Sequence, residues 1–292
     1  MIKGIFAPIP TPFQNDEIAL DKLGENLDRW SQTDLTGLVV LGSNGEFVLL
    51  TEDEKVKLVE YVRRHFPANR PVIAGTGCES TRDTIRLTKR VADAGATAAL
   101  VVTPNYYKGS MTEATLKRFF YDVADASPIP VMLYNMPRNT GVNISASLAI
   151  ECSKHPNIVG LKDSGGNIVQ IAEIISGTGP DFAVFAGSGS FLYATAALGG
   201  VGGTLAVANI LPNMCAAIQR AAEAGDHAKA KELQMKIMAA NAAVTNRWAI
   251  PGLKAAMDLI GYYGGSPRRP LLPLAEPAFG ELKKILAEVG AI

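Results

Sequence analysis

The sequence is poor in the residues that build metal centres and disulfide frameworks. Its 292 residues include 3 cysteines and 3 histidines. Cys78, Cys152 and Cys215 are far apart and odd in number, which argues against a disulfide scaffold and fits a reducing compartment. His65, His155 and His227 are equally scattered, and no HxxxH or CxxC spacing brings two ligands to one ion, so no metal site is expected. An excess of one charge is also missing: 28 Lys plus Arg balance 28 Asp plus Glu, with no basic run. A binder of nucleic acid or of an anionic membrane surface usually shows a basic excess. No run of about 18 apolar residues is present to span a bilayer. The opening "MIKGIFAPIPTPF" has one lysine and no long apolar core, so it does not read as a secretion signal. No Walker motif occurs, and no dinucleotide fingerprint sits between a strand and a helix. Together these absences predict a cytoplasmic protein with no nucleic-acid or membrane partner.

What the chain has is apolar content, 48% of it, and a regular rhythm. Short apolar runs recur: "GIFAPI" from 4, "GLVVLG" from 37, "PVIAGTG" from 71, "AALVVTP" from 98, "PVMLYN" from 130, "IVGLKD" from 158, "FAVFAG" from 182 and "GTLAVAN" from 203. They do not alternate apolar with polar, as expected of parallel strands buried on both faces. Helical patterns lie between them. Leu20, Leu23, Leu27 and Trp30 share one face, and "TEDE" opens another helix with Thr51 as cap and Glu54 closing a capping box. Val56, Val59 and Val62 form its stripe. Eight such units predict a (β/α)8 TIM barrel over residues 1–224. The remainder, 225–292, predicts a helical extension packed on the barrel, since no Pro-, Gly- or Ser-rich linker separates the two.

In a (β/α)8 barrel the functional face is the one where the strands end. "GSNGE" ends the second run, "TPNYYKG" the fourth, Tyr134 and "NMPRNTG" the fifth, Lys162 and "DSGG" the sixth, "AGSGS" the seventh. Lys162 is the most informative. A free lysine, with a pKa near 10.4, is neutral in roughly one molecule in a few thousand at pH 7, and only the neutral amine attacks a carbonyl. Desolvation in a barrel favours that form. An imine with a keto acid then withdraws electrons from an adjacent carbon–carbon bond. The structural alternative is an ion pair or a lysine that snorkels to water. Tyr134 serves as a proton shuttle or as packing. "GSNGE" suits a carboxylate grip made of backbone N–H groups, or a plain β-to-α turn. "GSGS" and "GGVGG" suit a phosphate cradle or close packing of small residues. Gly187, and Thr204 in the eighth run, join the substrate-binding candidates.

The lysine, the tyrosine and the GxxGE pattern together resemble the dihydrodipicolinate synthase and N-acetylneuraminate lyase family, class I pyruvate-dependent aldolases. The resemblance runs from "IFAPIPTPF" to "GYYGG", nearly the whole chain. It implies an imine between Lys162 and pyruvate, no cofactor, and Tyr134 as general acid/base. It implies a proton relay of Ser43, Tyr134 and Tyr106, the last from a neighbouring subunit of a homotetramer built as a pair of dimers. Ser43 and Asn44 would bind the pyruvate carboxylate. Synthases of the family usually have two threonines where this chain has Ser43 and Asn44, and an arginine where it has Asn139; Arg138, one residue away, is expected to point elsewhere. "AGTGCEST", "VVTPNYYKG", "HPNIVGLKDSGG" and "NAAVTNRWAIPGLK" are more similar to members that split 4-hydroxy-2-oxoglutarate into pyruvate and glyoxylate. That substrate is the leading expectation, with Asn44, Asn139 and Ser164 as candidates for its second carboxylate. Condensation of pyruvate with aspartate semialdehyde, and cleavage or dehydration of a 2-keto-3-deoxy sugar acid, are the alternatives.

Overall fold

The structure, a computed structural model, describes residues 2–292. Eight strands close into a parallel barrel: β1 (Gly4–Pro8), β2 (Gly37–Val40), β3 (Val72–Gly75), β4 (Ala98–Val102), β5 (Val131–Asn135), β6 (Ile158–Asp163), β7 (Ala183–Ala186) and β8 (Gly202–Thr204). Each pairs with its sequence neighbours and β8 pairs with β1, as Phe6 beside Thr204 illustrates. This is the (β/α)8 barrel expected from the eight apolar runs. The runs lack alternation because both faces are dry. Phe6, Val39, Ile73, Leu100, Met132 and Phe185 fill the interior, with Phe6 and Phe185 rings 5.6 Å apart between centroids. Residues one position along, such as Leu133, Leu161 and Val184, pack outward under the helices.

The helices follow from their own sequence. Glu52–His65 starts at Thr51, whose hydroxyl accepts from the N–H of Glu54 while Glu54 accepts from that of Thr51, so both halves of the capping box form. Leu58, Val59 and Val62 are its buried stripe, and Val56 is only partly covered. After Pro212–Glu223 the chain continues through His227–Ala242, a π-turn at Ala243–Arg247, Ala249–Leu259 and Ala278–Val289. Ile237, Leu253 and Leu282 share one core cluster with Ile5 and Leu38 of the barrel. None of these helices is long and apolar enough to cross a membrane, among the described residues.

Two local features depart from the sequence pattern. The eighth strand is only three residues long, and Ala206–Asn209 coils into a 3-10 turn instead of extending it. The Asn209 amide binds back to the carbonyls of Pro8 and Ala206, which fixes that turn. A small hairpin, Phe13–Gln14 with Glu17–Ile18, precedes the first helix. Its two turn residues, Asn15 (φ 52°) and Asp16 (φ 65°), are left-handed, as a type I′ hairpin needs, and Asn and Asp tolerate that best.

Candidate active site

Lys162 lies near the end of β6 and Tyr134 near the end of β5, and the parallel register sets them side by side. Strand side chains alternate faces. Leu161 therefore joins the outer core, while Lys162 turns into the barrel mouth. Lys162 is 3% exposed, so it does not reach out to water. Its Nζ sits 4.1 Å from the centroid of the Tyr134 ring. No aspartate or glutamate is among the residues that line the cavity it faces. The Tyr134 hydroxyl lies 3.2 Å from Ser43 Oγ, which links the amine's neighbour to the turn after β2. The Tyr134 side chain thus lies between the amine, over its ring, and the Ser43 hydroxyl, at its oxygen.

That turn is built under strain. Ser43–Gly45 is a single 3-10 turn flanked by Leu41 (φ 62°) and Glu46 (φ 57°), both left-handed. For side chains other than glycine this costs roughly 1 kcal/mol or more each, and it persists only where the surroundings enforce it. Gly75 is part of the reason it can: a Cβ there would lie 2.0 Å from the Leu41 carbonyl oxygen. Thr11 adds a hydrogen bond from its hydroxyl to the Gly45 carbonyl, 2.7 Å.

The cavity above Lys162 has a volume of about 190 Å³. Ser43, Asn44, Tyr134, Asn139, Lys162, Ser164, Gly187 and Thr204 all line it. Gly187 has to lack a side chain, since a Cβ would lie 2.0 Å from Ser164 Oγ. Tyr106 is not brought in. It is 78% exposed, stacked edge-on against Tyr107, its backbone N–H donating to Glu79. Arg138, expected to point elsewhere, instead lines the cavity and donates to the side chain of Asn246 at 2.5 Å and to its carbonyl at 3.3 Å. The short helix Pro137–Thr140 turns the chain back over the mouth and brings it there. Lys162 and Arg138 are the two cations among the lining residues, and no lining residue is acidic. The glycines of "GGVGG" are packing residues: a Cβ on Gly200 or Gly202 would collide with Thr195 or Gly4.

A sequence profile described as the dihydrodipicolinate synthetase family matches residues 1–289. The chain belongs to that family. It is 35% identical to an L-threo-3-deoxy-hexylosonate aldolase of Hypocrea jecorina, over 98% of this chain and 95% of that protein. It is 35% identical to a probable mitochondrial 4-hydroxy-2-oxoglutarate aldolase of Emericella nidulans, over 99% and 95%. A 4-hydroxy-tetrahydrodipicolinate synthase of Methanoculleus marisnigri is 36% identical, over 99% and 100%. Among solved structures, a dihydrodipicolinate synthase of Acinetobacter baumannii complexed with pyruvate superposes with a TM-score of 0.96 at 31% identity, covering both chains fully. The enzyme is a lyase acting on carbon–carbon bonds, and these proteins are its relatives.

In this member of the dihydrodipicolinate synthetase family, several residues that shape the site were given no individual role by the sequence. Val244, Thr245, Asn246, Ala249 and Ile250, from the far end of the chain, form one wall of the cavity. Asn241 holds the turn after β7: its carbonyl accepts from the Gly189 N–H at 3.1 Å and its amide donates to Ser188 and Ser190. Asp163 faces away from Lys162 and accepts from the N–H groups of Gly165 and Gly166 and from the Asn135 amide, which sets the loop carrying Ser164. The Glu of "GSNGE" is buried on Lys254, 2.6 Å away. Burial pushes Lys254 below the usual amine range, against the pull of Glu46. Burial pushes the thiols of Cys152 and Cys215 up to about 12.

Proposed function

We propose that the protein is a Schiff-base aldolase that cleaves 4-hydroxy-2-oxoglutarate into pyruvate and glyoxylate. The observation that carries the chemistry is a buried lysine with no carboxylate on its cavity, stacked on a tyrosine that reaches a serine hydroxyl. The amine of Lys162 adds to the C2 carbonyl of the substrate, and water leaves with the imine. Tyr134 takes the proton of the C4 hydroxyl as the C3–C4 bond breaks, and the bonding pair flows into the protonated imine to give an enamine. Glyoxylate departs, the enamine is protonated at C3, and water releases pyruvate and frees Lys162. No cofactor enters the cycle.

The choice of substrate rests on charge. A dicarboxylate needs two anion sites and no nearby carboxylate. The Ser43–Asn44 turn and Arg138 both line the cavity that holds Lys162. Asn44, Asn139 and Ser164 make no side-chain hydrogen bond to the described residues and are free to meet substrate oxygens. A 3-deoxy sugar acid has one carboxylate and needs no Arg138. Tyr106 enters the scheme from a neighbouring subunit. An apolar chamber of about 450 Å³ shares Ser43 with the cavity and is lined by Phe47, Val48, Leu49 and Ile250, with room for an aromatic side chain. The assembly in this reading is a homotetramer whose dimers exchange Tyr106, in a cytoplasm that keeps Cys78, Cys152 and Cys215 as free thiols. Borohydride reduction in the presence of pyruvate, followed by peptide mapping, should tag Lys162; no tag, or a tag on another lysine, overturns the mechanism. A panel of 2-oxo acids should then give its highest kcat/KM with 4-hydroxy-2-oxoglutarate, with coupled assays for aspartate semialdehyde and sugar acids as competitors.

A further inference from the structure

Glu46 and Lys254 form an ion pair with side chains 0% and 1% exposed, Nζ to Oε1 2.6 Å. Neither lines the cavity that holds Lys162. Lys254 Nζ also donates to the carbonyls of Thr11 (2.8 Å) and Ser266 (3.1 Å), and Glu46 Oε2 accepts from the N–H of Arg268 at 2.8 Å. The pair therefore joins three distant pieces of chain: the segment after β1, the turn after β2 and the C-terminal extension.

An arrangement of this kind needs a reason beyond stability. Well-packed apolar residues of similar volume generally serve a core as well as a buried ion pair, because desolvating two charges offsets most of their attraction. What these charges do here is local. Glu46 is left-handed, and its own N–H donates back to the Ser43 carbonyl at 3.1 Å, so its backbone angle sets the pitch of Ser43–Gly45. Thr11 closes the loop, giving its carbonyl to Lys254 and its hydroxyl to the Gly45 carbonyl. The bulky end of the Glu46 side chain cannot swing without breaking the pair, so the strained angle is held from the outside.

We propose that Glu46 and Lys254 are positioning residues: their ion pair fixes the Ser43–Asn44 turn in the geometry that grips the keto-acid carboxylate. It rests on the reading of Lys162 and the Ser43–Asn44 turn given above. Removing one charge strands the other in the core, so single variants risk unfolding. The decisive variant is Glu46→Gln with Lys254→Met, which removes both charges and keeps the volume. It folds with a thermal midpoint close to that of the parent. Its KM for the keto acid rises about ten-fold or more while kcat falls by less than about three-fold, the pattern of lost ground-state binding. Borohydride still tags Lys162 at saturating pyruvate, which separates this proposal from the mechanism: a parent enzyme that is never tagged refutes the mechanism instead. Thr11→Val keeps the pair and frees only the Gly45 carbonyl, and it raises KM in the same direction by a few-fold. A folded double variant with parental KM overturns the proposal, and so does an unchanged KM in Thr11→Val if the double variant fails to fold.

Discussion

Tyr134 is the residue on which the centre's geometry turns, since its ring lies under Lys162 Nζ and its hydroxyl meets Ser43. Tyr134→Phe keeps the ring and the packing but removes the proton carrier. General acid–base groups typically contribute about 10²–10⁴-fold, so kcat should fall within that range while the melting temperature stays put. A residual kcat within a factor of two of the parent refutes the role. Arg138 acts on a different quantity. Charge-assisted hydrogen bonds contribute about 1.5–3 kcal/mol, so Arg138→Ala should raise KM for 4-hydroxy-2-oxoglutarate by roughly 10- to 100-fold. It should leave KM for an uncharged-tail 2-oxo acid nearly unchanged. Equal losses on both substrates would mean that Arg138 merely props up the Asn246 wall.

The helices read most directly from sequence, because their signals are local. Thr51 and Glu54 sit three apart and need nothing but each other to cap Glu52–His65. The same helix makes a connection that no local pattern reveals: Glu52 takes Arg86 and Arg90 from the next helix. Those hydrogen bonds, Arg86's first, hold the Glu52 carboxyl down at about 2, from 4.5. A depressed carboxylate stabilises the fold above the unfolded value and loses that contribution as pH falls through the folded one. Glu52→Gln should therefore melt about 2 °C lower than the parent at pH 7, a small gap because the arginines are half in solvent. The gap should close between about pH 4.5 and 2. A gap that persists unchanged to pH 2 would show that packing, and not charge, is what the substitution removed. The π-turn at Ala243–Arg247 belongs to the opposite case. Nothing in "AVTNR" marks an irregular helix, yet this turn aims Thr245 and Asn246 into the cavity.

At the scale of the assembly, Tyr106 is completed by a neighbour or has no catalytic part. Mixing Lys162→Ala subunits with Tyr106→Phe subunits tests this. In a symmetric pair that exchanges tyrosines, one site of every mixed dimer has both an intact lysine and an intact partner tyrosine. Random mixing of two inactive parents should then restore about a quarter of parental activity. Activity no higher than that of the Tyr106→Phe subunits alone would show that Tyr106 does not act from a neighbouring subunit. Val48, exposed at the chamber, is where such a contact would bury apolar surface.

The barrel, its order of elements and the lysine at its mouth were legible in the residues because each depends on neighbours along the chain. A strand buried on both faces must be apolar throughout, and a strand's last residues must face its mouth. Lys162 and Tyr134 could be found from that alone. The position of Arg138 could not, because a one-residue step along a loop says nothing of direction until Pro137–Thr140 coils and Asn246 arrives from the other end of the chain. The Glu of "GSNGE" is similar: as a sequence it looks like the last polar residue of a turn, and only Lys254 and Arg268, more than 200 positions away, make it a buried anchor. Local pattern thus places one amine on one strand. The polar and charged groups around that amine come from distant segments, and packing is what brings those together.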